Sequence, residues 1–152
     1  MQKVTPFLWF DDNAEEAIHF YVSLFENSRV TGERRKEPGG PLFTATFVLD
    51  GQEFMALNGG PAHKLTEGFS LFVSCASQAE VDELWEKLRR GGSELRCGWV
   101  RDRFGLTWQI IPTALGELLG DPDPAKAARV MEAMLRMTKI DVEELRRAHA
   151  GS

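Results

Sequence analysis

Apolar positions change their period several times along this chain, and the changes mark out its elements. Residues 3–10, KVTPFLWF, form a short apolar and aromatic run that reads as a strand with Pro6 near its start or on an edge. Ala14, Ala17, Ile18, Tyr21, Leu24 and Phe25 then recur at helical spacing. Asn13 is expected to cap that helix, with Glu16 as its reciprocal partner three residues on. SRVTGERRK reads as a strand or ragged edge and PGGP, at 38–41, as a loop. LFTATFVLD and GQEFMALN alternate as strands and reverse at Asp50-Gly51, the strongest short hairpin signal. The first 60 residues therefore read β-α-β-β-β.

A similar order then restarts, reading β-α-β(-β)-β with one strand not set apart by the pattern. After the broken stretch NGGPAHKLTEG, FSLFVSC reads as a strand, and Ser77 with Glu80 forms a second capping box ahead of Val81, Leu84, Trp85 and Leu88. Gly91-Gly92 end that helix, SELRCGWV reads as a weaker strand with residues 97 and 99 on one face, and RDRFGLTWQIIP turns at Gly105 into a last strand. One β-α-β-β-β half cannot cover both faces of its own sheet, so the two halves are expected to pair. Aligning Gly51 with Gly105 sets Met55 opposite Gln109. From Thr113 the period changes again: ALGELL is a helical turn, Asp123-Pro124 opens a helix bearing Val130, Met131, Met134 and Leu135, and Asp141 with Glu144 begins a final short one. The expected layout is a domain over 1–113, made of modules 1–60 and 66–113, followed by a helical extension over 114–152.

Composition narrows the partners. The chain has 152 residues, 43% of them hydrophobic, enough to bury a core unaided. With 23 acidic against 18 basic residues and scattered basic side chains, nucleic acid is an unexpected partner. No apolar run approaches the roughly 20 residues of a membrane span, and MQKVTPFLWFDD has neither the apolar core nor the cleavage site of a signal peptide, so a cytoplasmic protein without a membrane partner is expected. Cys75 and Cys97 are too few for a disulfide framework or a thiolate zinc site, and reduced thiols are expected.

Several stretches taken together, TPFLWFDDNAEEAIHFYVSLFENS, DGQEFMALNGGP, CGWVRDRFGLTWQIIP and LLGDPDPAKAARVMEAML, resemble the PhnB-like branch of the vicinal oxygen chelate superfamily, which includes glyoxalase I, bleomycin-resistance proteins and extradiol dioxygenases. The resemblance runs from Lys3 to about Leu145. It implies an α+β fold in which paired βαβββ modules form a curved mixed sheet around a cavity, with the helical tail added, and it implies a homodimer. Members of the branch often carry the label 3-demethylubiquinone-9 3-methyltransferase. LNGGP is the one glycine-rich turn after a strand, but no helical pattern opens behind it, as a nucleotide-binding turn requires.

Superfamily enzymes hold a metal on His or Glu side chains, and the positions that the resemblance implies here fall near Thr5 or Pro6, near Phe69 or Ser70, at or beside Met55, and at Gln109. None is His, Asp or Glu, so no metal and no other cofactor is expected. His19, His63 and His149 are scattered; His63 is the one best placed to reach a cavity mouth, and a solvated loop histidine is its plainer reading. Cys97, with Trp99 two residues on, is either a thiol facing the cavity or a small buried apolar residue. Trp9, Trp99 and Trp108 can wall a cavity or fill a core, and Trp99 and Trp108 cannot share one face of a regular hairpin. Asn58 and Gln109 offer hydrogen bonds. Asp102 is either a turn anchor or a general base.

The resulting expectation is a metal-independent protein or enzyme that takes a small-molecule ligand, with Cys97 and Asp102 as catalytic candidates and Trp9, Asn58, Trp99, Trp108 and Gln109 as binding candidates. The alternatives are a metal-dependent glyoxalase or dioxygenase and, following the family label, a methyltransferase.

Overall fold

A computed structural model describes residues 2–151. The chain divides into two compact units, Met1–Leu65 and Thr66–Ser152. The first runs β1 (Phe7–Phe10), α1 (Ala14–Leu24), β2 (Arg29–Arg35), β3 (Leu42–Leu49) and β4 (Gln52–Asn58). Its four-stranded sheet has the order β1-β4-β3-β2, with β1 parallel to β4 and the other pairs antiparallel. Alternation sends Leu8, Phe10, Ala45, Phe47, Phe54 and Ala56 to one buried face, where Ala14, Ala17, Ile18 and Tyr21 of α1 supply the facing apolar surface. The hairpin turns through Asp50 and Gly51, both left-handed at φ 47 and 81, as a two-residue turn matched to strand twist requires.

The cap of α1 differs from the expected one. Asn13 makes no side-chain cap bond. Asn58, at the end of β4, accepts from the Ala14 N–H at 2.8 Å and donates from its amide nitrogen to Leu42 O at 3.1 Å. The parallel register explains this, because Phe10 pairs with Asn58 and so brings the last residue of β4 to the point where the chain enters α1.

The second unit runs β5 (Ser70–Cys75), α2 (Gln78–Arg89), β6 (Ser93–Glu94), β7 (Trp99–Arg101) and β8 (Thr107–Pro112), in the sheet order β5-β8-β7-β6 with β5 parallel to β8. Ser77 caps α2 by accepting from the Glu80 N–H at 3.2 Å, while the Glu80 carboxylate reaches back to the Ala76 N–H at 3.0 Å. Three helices follow: α3 (Thr113–Leu119), α4 (Pro124–Leu135) and α5 (Val142–Ala150). They close on Ile111 through a cluster of Leu115, Val130, Ala133, Met137, Ile140 and Leu145. The α2 side chain of Gln78 ties the same region down, donating to Ile140 O at 2.9 Å and accepting from the Val142 N–H at 2.7 Å.

SELRCGWV is not one strand. Only Ser93–Glu94 and Trp99–Arg101 pair, and between them Cys97 and Gly98 are left-handed at φ 60 and 84. Their N–H groups leave the sheet and donate to Met137 O and Thr138 O, in the connection between α4 and α5, at 2.9 and 2.8 Å. A side chain at residue 98 would meet Ile111 and Ile140 at under 3 Å, so the close approach needs glycine there. Among the described residues no helix is long and apolar enough to cross a membrane.

Candidate functional site

The register of the second sheet decides which of its side chains can act together. Trp99 on β7 lies directly opposite Gln109 on β8, and Gln109 lies beside Phe72 on β5. Strand alternation puts all three on the face away from α2, in one lateral row of indole, amide and phenyl. Val100, Trp108 and Ile110, one residue out of step, go to the α2 face, where they are buried. Phe72 remains 60% exposed on the open face.

Over this row lies a groove of about 580 Å³. Phe72, Ser74, Trp99, Gln109 and Ile111 form its floor, α3 contributes Leu115, Glu117 and Leu119, and Met134 comes from α4. Cys97 lines it too, placed there by the left-handed turn before β7 and not by a strand position. The amide of Gln109 is oriented: its nitrogen donates one N–H to Ser70 Oγ at 3.0 Å, which leaves the carbonyl oxygen and the second N–H for a ligand. Of the two thiols, Cys75 is fully buried, and burial pushes it up to about 12, so it stays protonated and inert.

Two candidates fall elsewhere in this unit. Asp102 is 3% exposed and is the anchor of the turn before β8, its Oδ1 accepting from the N–H groups of Phe104 at 2.8 Å and Leu106 at 3.1 Å. Its Oδ2 accepts from the indole of Trp108 at 2.9 Å. A carboxylate so engaged is not placed as a general base, and Trp108, 1% exposed, is a core residue and not a groove wall. The opposite facing of Trp99 and Trp108 follows from the antiparallel pairing of Val100 with Trp108.

Trp9 and Asn58 belong to the first unit. Trp9 donates from its indole nitrogen to Gly60 O at 2.9 Å and meets His63 edge-on, with ring centroids 4.7 Å apart. A side chain at residue 59 would collide with the indole ring, so Gly59 is glycine for Trp9. The N–H groups of Gly59 and Gly60 are already donated to Phe10 O and Asp11 O. Asn58 is committed to capping α1. Neither residue shares an element with the groove.

The donor set does not fit a divalent metal. At the positions where the resemblance implies ligands, Met55 and Gln109 stand on the last strands, and Ser70 spends its hydroxyl on the Gln109 amide. Among the described residues, three potential ligands converge within 4.8 Å only at Glu15, His19 and Glu33, on α1 and β2. There Arg35 holds the place of a cation, bonding both oxygens of Glu15 at 2.5 and 3.2 Å and Glu33 at 3.0 Å. The guanidinium holds the Glu15 carboxyl below the usual carboxylate range.

Sequence reasoning missed Phe72, Glu117, Leu119 and Met134. The alternation Ser70, Phe72, Ser74 signalled an aromatic on the polar face of β5, whereas nothing local to residues 115–134 shows which sheet face those helices return to.

Comparison with known proteins places these observations. A family model described as 3-demethylubiquinone-9 3-methyltransferase matches residues 2–111. A solved Bacillus cereus PhnB protein, described as a 3-demethylubiquinone-9 3-methyltransferase, is 35% identical; the match covers 73% of this chain and 99% of that one, with a TM-score of 0.67. A Pseudomonas aeruginosa structure is 22% identical over 74% of this chain and 98% of its own, with a TM-score of 0.61. The fosfomycin resistance protein FosX of Listeria monocytogenes, complexed with Mn(II) and sulfate, is 15% identical over 71% of this chain and 89% of its own, with a TM-score of 0.52. The last two share the fold. No curated protein gives a match.

Proposed function

The chain belongs to the family described as 3-demethylubiquinone-9 3-methyltransferase, the PhnB-like branch of the vicinal oxygen chelate superfamily, and from that premise we propose that it binds a small organic molecule in the groove of its second unit, without a metal. The observation that carries the reading is the Trp99–Gln109–Phe72 row under a groove of about 580 Å³. That volume suits a small ligand, and the chemistry suits one with a flat apolar body and a hydrogen-bonding group, since two aromatic side chains flank one oriented amide. Cys97 adds a soft apolar wall: no imidazole is among the lining residues to activate it as a nucleophile.

Methyl transfer, which the family description names, has less support from this chain. A nucleotide cofactor needs free backbone N–H groups at a glycine turn leading into a helix. Gly59 and Gly60 spend theirs on β1 and the residue after it, and the chain runs without a helix from there to β5. The homodimer and the cytoplasmic location are part of the same proposal. Phe7 and Phe43, 50% and 43% exposed, supply apolar surface for a second copy, and a monomer in sedimentation equilibrium at micromolar concentration would remove that element.

The test is a screen of small aromatic amphiphiles by tryptophan fluorescence, before and after treatment with EDTA. Ligands are expected whose affinity EDTA leaves unchanged and which Gln109→Met weakens about five- to tenfold, the worth of roughly one hydrogen bond. Binding that requires added Mn, Ni, Zn or Fe, or that is indifferent to both Gln109→Met and Trp99→Ala, overturns the reading.

A further inference from the structure

We propose that the C-terminal helices make the groove selective for a small molecule with an apolar or aromatic body and a protonated amine, and that Glu117 is the residue selecting the charge; the inference rests on the groove being the binding site.

The first support is where the groove comes from. Seven of its thirteen lining residues, Leu115, Glu117, Leu119 and Met134 among them, lie beyond residue 111, where the family match ends. The Bacillus cereus relative uses 99% of its own length to match 73% of this chain, so about a quarter of this chain has no counterpart there. One wall of the groove is thus built from what this chain adds to the shared fold. That wall is held by defined contacts: the helices pack on Ile111 and the α4–α5 connection binds the backbone of Cys97 and Gly98, so Cys97 and the tail meet the same space.

The second support is charge. The lining holds no Lys, Arg or His, and Glu117 is its one ionisable carboxylate. Glu117 is exposed and forms no ion pair among the described residues. Gln109 gives one N–H to Ser70, and its carbonyl oxygen can accept from a ligand's ammonium group. The faces of Trp99 and Phe72 attract cations through their ring quadrupoles. A ligand with an ammonium group finds a carboxylate, an amide oxygen and two aromatic faces. A ligand with a carboxylate meets the like charge of Glu117 and the same two ring faces, with no cation in the lining to offset them.

The test compares three probes sharing one body: 2-phenylethylamine, 2-phenylethanol and 3-phenylpropanoate. Each is titrated into the full chain at neutral pH, following the indole resonance of Trp99 by NMR. The amine is expected to bind about fivefold tighter than the alcohol, the scale of one partly exposed ion pair with a cation–π contact, and the carboxylate weakest. Glu117→Gln, an exposed substitution that leaves the fold alone, is expected to bring the amine down to the alcohol while the alcohol is unchanged. The wild-type preference should also shrink on raising the salt toward about 1 M, where the Debye length falls to about 3 Å. Equal binding of amine and alcohol, tighter binding of the carboxylate, or a preference that survives Glu117→Gln overturns the charge selectivity and leaves the groove reading standing. If none of the three moves the Trp99 resonance, both fall.

Discussion

The two units carry one order of elements on different side chains. At matching register the first unit has Phe7, Met55 and Thr46 in a row across β1, β4 and β3, and the second has Phe72, Gln109 and Trp99 across β5, β8 and β7. The first keeps long outer strands, seven residues in β2 and eight in β3, joined to β4 by a two-residue turn. The second shortens the corresponding strands to two and three residues and hands the freed N–H groups of Cys97 and Gly98 to the α4–α5 connection. Regular pairing satisfies a backbone internally and leaves little else for it to hold; where pairing is given up, the backbone can fasten a new element, and the groove is found there.

Substitutions that act on one copy alone sharpen this contrast. The largest effect is expected at Trp108, which fills the α2 face and carries the bond to Asp102. Trp108→Ala should cost about 3–5 kcal/mol, read from the urea midpoint by circular dichroism. Trp108→Phe should still cost about 1–3 kcal/mol, because it removes the indole bond to a buried carboxylate, and a neutral outcome would mean that the turn does not depend on that bond. Next come the helix caps. Asn58→Ala should cost about 1–2 kcal/mol and Asn13→Ala under about 0.5, the reverse of what their positions in sequence suggest; an equal cost would return the cap to Asn13. The smallest effect belongs to the Glu15–Arg35 pair, which is partly exposed and solvent-screened. Arg35 depresses the Glu15 carboxyl, so its contribution is present above the ordinary value of 4.5 and is lost as pH falls through the lower folded value. Glu15→Gln should therefore be slightly less stable than the parent near neutrality, with the deficit closing in acid; a deficit that persists below pH 3 would mean the pair is not its source.

Much of the architecture is legible in the residues. Asp50-Gly51 reads as a hairpin because few other pairs tolerate two left-handed positions, and the helical spacings of α1 and α2 survive because each buries one continuous apolar stripe. The divergence of Trp99 and Trp108 follows from alternation alone. Legibility ends at contacts distant in sequence. Asn13 has the side chain of a cap, yet Asn58 takes that role through a parallel register that no local pattern encodes. Cys97 was expected on a strand face and reaches the groove by a left-handed turn that the tail holds in place. Asp102 suits a turn anchor or a base by residue type alone, and its role follows from the two amides and the indole that its carboxylate serves.

Periodicity and turn chemistry, which act over a few residues, determined the β-α-β-β-β order of the first half, its restart in the second, the helical tail and the alternation of faces along the regular strands. They also determined that the strand positions at Met55 and Gln109 offer no anionic ligand. Tertiary structure alone decided that Phe72, Gln109 and Trp99 form one row, that the tail returns to that face of the sheet, and that Glu117 is the charge beside it. Register and packing depend on groups tens of residues apart finding the lowest joint free energy, and a one-residue slip would turn every one of those side chains to the opposite face.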